Sequence, residues 1–305
     1  MSEHALLLLL ALVLDAALGE PRSLWSRLPH PAVLMGRVVG WCDRRFNRGT
    51  APRVRGVAVM AGLSLGGIGL GTVLAGLPGG AALEVVGAAI LLAQKSLVEH
   101  VRSVAKGLRS SLEEGRRAVS MIVGRDTAQL DAPAVARAAI ESASENLSDG
   151  VVAPAFWFLI GGLPGMILYK VVNTADSMIG HRTERHEAFG WAAARLDDVL
   201  NWIPARITAA LVALSRMDAS ALRVAATQGP RHRSVNAGWP EAAMARVLGL
   251  ALSGPRSYGG TSTSDPVLNP EGRRDATADD IDEAIAILWR VWGGVFLTVA
   301  LLAAL

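Results

Sequence analysis

Apolar runs and polar stretches alternate along this chain in long blocks. Residues Ala5 to Leu18 are apolar apart from Asp15. The run is shorter than the ~20 residues that cross a bilayer. It follows Glu3 with no Lys or Arg, where a signal peptide carries positive charge. It predicts a short, retained first membrane helix over 5–18. Val57 to Leu77 is free of charge, long enough to span, and glycine-rich, which suits close helix packing in lipid. Pro78-Gly79-Gly80 predicts a turn. Residues 81–98 return, with Glu84 at one end and Gln94 and Lys95 at the other. The last span is predicted over 285–305.

The polar blocks read differently. Glu99 to Ser148 carries Arg102, Lys106, Arg109, Arg116 and Arg117 among apolar positions at helical spacing, a pattern of amphipathic helices. Gly124-Arg125-Asp126-Thr127 breaks the block. Asp131 to Ala134 then predicts the cap and Pro-containing first turn of a helix bearing Glu141 and Glu145. Residues 151–172 have the length of one span, but Gly161-Gly162-Leu163-Pro164-Gly165 interrupts the middle. The segment is either a kinked span or a re-entrant hairpin. The hairpin is favoured, because a single span would put Glu145 and Asp149 on the opposite side from Asp176 and Asp198. Val199 to Leu214 predicts an interfacial helix, and Arg216 to Arg233 a basic connector. Asn236-Ala237-Gly238-Trp239-Pro240-Glu241 opens a helix whose free N–H groups favour anions. Gly254-Pro255, Tyr258 and Gly259-Gly260 predict a flexible lid, and Thr261 to Arg274 an irregular, exposed stretch. The fold expected is a single membrane-embedded all-α domain over 1–305. It has about four membrane helices, one broken or re-entrant element, and cytoplasmic or interfacial blocks at 99–150 and 173–284.

Charge sharpens this picture. Of 305 residues, 51% are hydrophobic, and the net charge is +3. Arginines dominate the connector from Pro21 to Arg55, which argues for the cytoplasmic face of a cell membrane, with the active site on that side. No basic stripe with interleaved aromatics suggests nucleic acid. The single cysteine, Cys42, leaves no disulfide framework and no cysteine zinc site. His181 and His186 read as polar loop residues.

The candidate chemistry runs from Glu141 to Arg206. Glu141, Glu145 and Asp149 are spaced four apart, so one helix would carry them on one face. Asn173, Asp176, Ser177, Asp197, Asp198, Asn201 and Arg206 follow. Oxygen ligands at this density suit Mg²⁺, which binds through one or two carboxylates plus substrate phosphates. The plainer alternative is a solvated face paired to Arg137, Arg182, Arg185 and Arg195.

The segments ESASENLSDGVVAPAFW, YKVVNTADSMIGHRTERHEAFGWAAARLDDVLNWIPAR and SVNAGWPEAAMARVLGLALSGPRSYGG, with DAALGEP and HPAVLMGR near the start, resemble the CobD/CbiB family, the adenosylcobinamide-phosphate synthases of cobalamin biosynthesis. The resemblance implies an integral membrane enzyme that joins adenosylcobyric acid to an aminopropanol, or its phosphate, in an ATP-dependent amide ligation. It implies family motifs at Asp15, Gly19, Glu20 and Pro21, at His30 and Arg37, and at Arg125 and Asp126. His30 is an acid–base group or a capping residue of a Pro-flanked turn. On this reading Asp149, Asp176 and Asp198 hold Mg²⁺, with Asp197 in reserve. Lys170, Arg195, Arg206 and Asn236 contact phosphate or substrate beside Asn173 and Asn201. Glu141 or Glu145 deprotonates or holds the attacking amine. Lipid and other late cobalamin-pathway enzymes are the expected partners. No Walker A pattern is present, so the ATP site has no sequence marker. The rival readings are an ion-coupled carrier of a corrinoid or anionic solute, a non-catalytic scaffold, and a lipid-headgroup transferase, whose D-G-x-x-A-R arrangement is missing.

Overall fold

The computed structural model describes residues 2–181, 183–258 and 261–305. In chain order the helices are α1 (Ser2–Leu18), α2 (Arg22–Trp25), α3 (Pro31–Phe46), α4 (Pro52–Gly76), α5 (Gly80–Leu91), α6 (Gln94–Ser110) and α7 (Leu112–Ser120). They continue as α8 (Ala132–Leu147), α9 (Ala153–Ile179), α10 (Trp191–Ser215), α11 (Ala219–Gln228), α12 (Gly238–Leu248) and α13 (Ala278–Ala304). A π-helical turn, Ser148–Val152, joins α8 to α9. Between α12 and α13 lie strands β1 (Leu252–Ser253), β2 (Arg256–Tyr258), β3 (Thr261–Thr263) and β4 (Val267–Leu268). β1 pairs antiparallel with β4, and β2 with β3. The protein is all-α and polytopic. Four helical stretches are long and apolar enough to cross a membrane: Pro52–Gly76, Gly80–Ser110, Ala132–Ile179 and Ala278–Ala304. Helix α1, with 17 residues, is shorter than these.

The chain divides into two compact units. One comprises the residues up to Ala93, Ala153–Asn201 and Thr298–Leu305; the other comprises Gln94–Val152 and Trp202–Leu297.

The first unit is built around α9, which packs against α1, α3, α4 and α5. The helix is interrupted at Gly161 (φ −129°) and Gly162 (φ 58°). A positive φ costs glycine little and other residues more. Pro164 follows and cannot donate to a helical ladder. Residues eight apart in a straight helix are ~12 Å apart along the axis. Here a Cβ on Gly165 would lie 2.5 Å from the Trp157 carbonyl oxygen, so the chain turns sharply back on itself. The turn frees backbone groups that need partners in an apolar setting. Glu84 accepts the Leu163 N–H at 3.1 Å, and His4 Nδ1 lies 3.3 Å from the Leu159 carbonyl.

The second limb of α9 lies along the glycine face of α4. Gly71 abuts Pro164, and Gly67, one turn earlier, abuts Ile167 and Val171. Small residues at this spacing let backbones approach closely. Met60, Tyr169, Val172, Ala175, Ile179 and Phe189 fill the core beyond.

In the second unit α6 and α7 form a tight pair, as do α11 and α12, while α8 packs on α6, α7 and α12. Asp131 caps α8 by accepting the Ala134 N–H at 2.8 Å, with Pro133 in the first turn. Two expectations are corrected here. The supposed connector 216–233 contains α11, capped by Asp218 through the Ser220 N–H. The stretch 261–274 is not simply irregular and exposed: β3 and β4 lie in it, and Leu268 is fully buried. Asn269 is buried too, its amide donating to the Leu250 carbonyl at 2.9 Å. Gly259 and Gly260 of the expected lid, and Arg182, lie outside the described residues.

Replacing Gly71 by Val should destabilise the protein by about 1–3 kcal/mol, the usual cost of overpacking. A Cβ there meets Pro164 Cα at 2.5 Å, whereas one on Gly66 meets nothing within 4 Å. Thermal melting in detergent should show a lower midpoint for Gly71→Val and an unchanged one for Gly66→Val.

Candidate functional site

Two groups of ionisable side chains stand out, one in each unit. In the first unit, Asp197 on α10 is the focus. Asn173 Nδ2 and Asn201 Nδ2 donate to its two carboxylate oxygens at 3.3 and 3.0 Å. Tyr169, fully buried, donates its hydroxyl to Asn201 Oδ1 at 2.9 Å and fixes that amide. Burial, and then the nearby Asp176 carboxylate, push Asp197 up to about 7 against the pull of the two amides. Asp198, next in sequence, turns to Arg195 at 3.1 Å, an i,i+3 helix pair. Asp176 and Asp197 with the two amides fit the needs of Mg²⁺, which takes few protein carboxylates and completes its shell with water or phosphate. Asp197 is raised by its acidic neighbour, and a cation would relieve that repulsion. Among the described residues no group of three or more His, Cys, Asp or Glu side chains is placed to hold a metal ion.

In the second unit, Glu141 on α8 is buried between two arginines. Arg125 Nη2 donates to its Oε2 at 2.7 Å, and Arg256 Nη2 lies 3.3 Å from the same oxygen. The Ser253 N–H donates to Oε1 at 2.7 Å. Arg256 also reaches Glu241 Oε2 on α12 at 3.3 Å. Glu241 is 1% exposed, and its Oε1 has no hydrogen-bond partner among the described residues. Burial pushes it well above the ordinary carboxylate range; Arg256 opposes this, while Glu141 and Glu145 add to it. His232 Nε2 lies 3.8 Å from Glu241 Oε2. Its Nδ1 accepts the Ser234 N–H at 3.1 Å, so the neutral ring carries its proton on Nε2. Burial first, then Arg256 and Arg233, push His232 down to about 4.

This network borders a cavity of about 780 Å³ lined by Arg125, Arg137 and Arg256 against Asp126 and Glu141. Three arginines face two carboxylates, so the lining is net positive. Glu145, one turn further along α8, is exposed.

The predicted acidic face holds for Glu141 and Glu145, one turn apart on α8, and is corrected at Asp149. Helix α8 ends at Leu147, and Asp149 lies in the π turn. A π turn takes an extra residue and ends the four-residue repeat. Glu141 is buried and paired, Glu145 exposed, and Asp149 half-buried with partners of its own. The pairing alternative holds for Asp198, which binds Arg195, while Glu141 is met by Arg125 and Arg256 instead. Arg185 binds Asp43 at 2.6 Å, and Arg137 donates to the Arg274 carbonyl.

The remaining candidates are placed as follows. His30 caps α3, its Nδ1 accepting the Ala32 N–H at 3.2 Å. Its ring packs edge-on to Trp25, and burial lowers its affinity for protons, with Lys170 acting in the same direction and Glu20 opposing. The guanidinium of Arg206 is sandwiched 4.4 Å from both Trp202 and Trp239 and donates to Asn236 Oδ1 at 2.9 Å. Arg206 and Asn236 thus come together in a cation–π stack. Tyr169, His232, Glu241, Ser253 and Arg256 escape sequence reasoning. No short-range spacing links any of them to Glu141 or Asp197.

These features define a helical, membrane-embedded protein with an arginine-lined cavity and a buried acid–amide cluster. The chain belongs to the CobD/Cbib protein family, which matches residues 8–288. It is 51% identical over 325 aligned positions to a cobalamin biosynthesis protein CobD of Sinorhizobium sp, covering 99% of this chain and 100% of that one. It is 50% identical to the protein of that name in Brucella suis biovar 1 (strain 1330), over 93% of this chain and 92% of that one. For the Rhodobacter capsulatus protein of that name the identity is 45%, over 99% and 98%. No solved structure matches the chain.

The shift at His232 has a sign. The folded protein holds His232 at about 4 against an ordinary value of 6.5. The unfolded chain therefore binds the extra proton between those values, and stability is lost as pH falls from 6.5 towards 4. The loss due to this residue should reach about 3 kcal/mol near the lower end. Melting curves of His232→Gln should lack that part of the acid-side decline.

Proposed function

We propose that the protein acts in cobalamin biosynthesis as an ATP-dependent acid–amine ligase, joining adenosylcobyric acid to an aminopropanol or its phosphate. Family membership over nearly the whole chain supports the pathway, together with relatives at about half identity that bear the name cobalamin biosynthesis protein CobD. The observation that carries the ligase reading is the net-positive cavity beside the Arg125–Glu141–Arg256 network.

A carboxylate is a poor acyl electrophile. In this reading a carboxylate oxygen of the corrinoid attacks the γ-phosphorus of ATP, ADP departs, and an acyl phosphate results. The amine nitrogen then attacks the acyl carbon, and phosphate leaves with the C–O bonding pair. The ammonium must lose a proton before it attacks. Glu145, the exposed carboxylate of α8, would take it. Arg125, Arg137 and Arg256 screen phosphate charge, and preorganised cations of this kind stabilise transferring phosphoryl groups. Glu141 is bound by two arginines and a backbone N–H, so its role is to hold them in place. Asp176 and Asp197 would hold Mg²⁺, which supplies charge neutralisation to phosphate oxygens when bound. Asn173, Asn201 and Tyr169 keep Asp197 oriented. The arginine-rich connector supports a cytoplasmic active site at the inner membrane, because basic loops stay on that side.

A second reading is an ion-coupled carrier. The broken helix at Gly161-Gly162 favours it, because carriers bind at such interruptions.

The deciding assay supplies corrinoid acid, aminopropanol phosphate, ATP and Mg²⁺ to the detergent-purified protein and measures amide product by mass spectrometry. Product is expected. Asp197→Asn and Glu145→Gln should each lower turnover by about 100-fold or more with melting curves unchanged. No product from the parent protein, with ATP-independent uptake into proteoliposomes, would favour the carrier. Parental rates in both variants would remove these residues from the chemistry.

A further inference from the structure

The foot of α4 has an electrostatic imbalance that the ligase chemistry does not use. Arg37, Arg44, Arg45, Arg48, Arg53 and Arg55 are all exposed. None of them pairs with a carboxylate among the described residues. The acid in their midst, Asp43, is taken by Arg185 at 2.6 Å and is held below the ordinary carboxylate range: burial raises it, but Asn47 and Arg185 outweigh that. The arginines are engaged in other ways. Arg55 donates to the Arg48 carbonyl, Arg53 lies 3.9 Å over the Trp191 ring, and Arg45 lies 5.8 Å over Phe46. Arg44, Arg45, Arg48, Arg53 and Arg55 thus gather five positive charges about the start of a helix long and apolar enough to cross a membrane.

Beside them is an apolar groove of about 340 Å³ between α3 and α4, lined by Cys42, Phe46, Ala58, Val59, Gly62 and Leu63, with Arg55 at its edge. Exposed Val38 and Trp41 continue the apolar surface along α3, and exposed Val54 and Val57 along α4. A Cβ on Gly62 would meet nothing within 4 Å, so the groove is open where the helix passes. A hydrocarbon slot ending in unpaired arginines matches one ligand chemistry: an acyl chain ending in a phosphodiester. Basic clusters at the end of a membrane helix attract anionic headgroups at about 1 kcal/mol per residue.

We propose that the α3–α4 groove is a binding site for an anionic phospholipid. One acyl chain lies along Phe46, Val59, Gly62 and Leu63, and the phosphate sits against Arg55 and its arginine neighbours. The site belongs to the first unit alone and does not depend on the ligase reading.

Native mass spectrometry of the full-length protein in detergent, with phosphatidylglycerol or phosphatidylcholine added, tests it. Retention of phosphatidylglycerol should exceed that of phosphatidylcholine. Arg55→Gln should lower it by about fivefold, the equivalent of one headgroup contact. Gly62→Phe, which adds a ring to the groove lining at a position where a Cβ has open space, should abolish it. Gly69→Phe, on another open stretch of α4, should leave it unchanged. Equal retention of the two lipids would overturn the proposal. So would parental retention in both Arg55→Gln and Gly62→Phe, or a loss in Gly69→Phe as large as in Gly62→Phe.

Discussion

Taking a carboxylate out of water costs several kcal/mol unless a cation or hydrogen-bond donors meet it. Each unit here answers that constraint with different means. Glu141 is met by two guanidinium groups and a backbone N–H, so its charge is balanced where it stands. Glu241 shares Arg256 with Glu141 and keeps one oxygen without a partner. Burial resolves that shortage by favouring its protonated form. Asp197 is met by two amides, which donate hydrogen bonds but carry no charge, while Asp176 stands nearby.

The helix arrangement follows from the same logic applied to the backbone. A break in α9 exposes N–H and carbonyl groups that an apolar environment does not tolerate. Glu84 and His4 satisfy them at the turn. The close approach of Gly67 and Gly71 on α4 then seats the second limb. That limb carries Tyr169, Asn173 and Asp176, so the hydrogen bonds at the bend help to position the acid–amide cluster further along the same helix.

The sequence makes the long elements legible because membrane helices announce themselves by apolar length, and 57–77 and 285–305 have it. The break at Gly161-Gly162 is legible too, since a proline follows the glycine pair and removes a backbone donor in mid-run. The pairing of side chains is far less so. Arg125 and Glu141 are sixteen residues apart, and Arg256 comes from a hairpin more than a hundred residues further on. No local period connects them. The four-residue spacing holds for Glu141 and Glu145 along α8 and fails only at Asp149, because the repeat lasts only while the helix is α. The four strands between α12 and α13 are two or three residues long, too short for any period to mark them. They are held by short cross-strand ladders and by Asn269, which are tertiary features. The Asp197 neighbourhood was easier to see: Asn173, Asp197 and Asn201 sit on two helices, and Asp197 and Asn201 fall one turn apart.

The two groups therefore differ in what they still demand. Around Glu141 the carboxylate is saturated and the cavity lining is left net positive, so the unmet need is for an anion. Around Asp197 the donors are neutral, and two carboxylates share one neighbourhood, so the unmet need is for a proton or a cation. A proton answers it up to about pH 7, where Asp197 titrates. A divalent ion would answer it at any higher pH. The charge left over is thus of opposite sign in the two units, because guanidinium groups outnumber the carboxylates in one and neutral amides stand in for cations in the other.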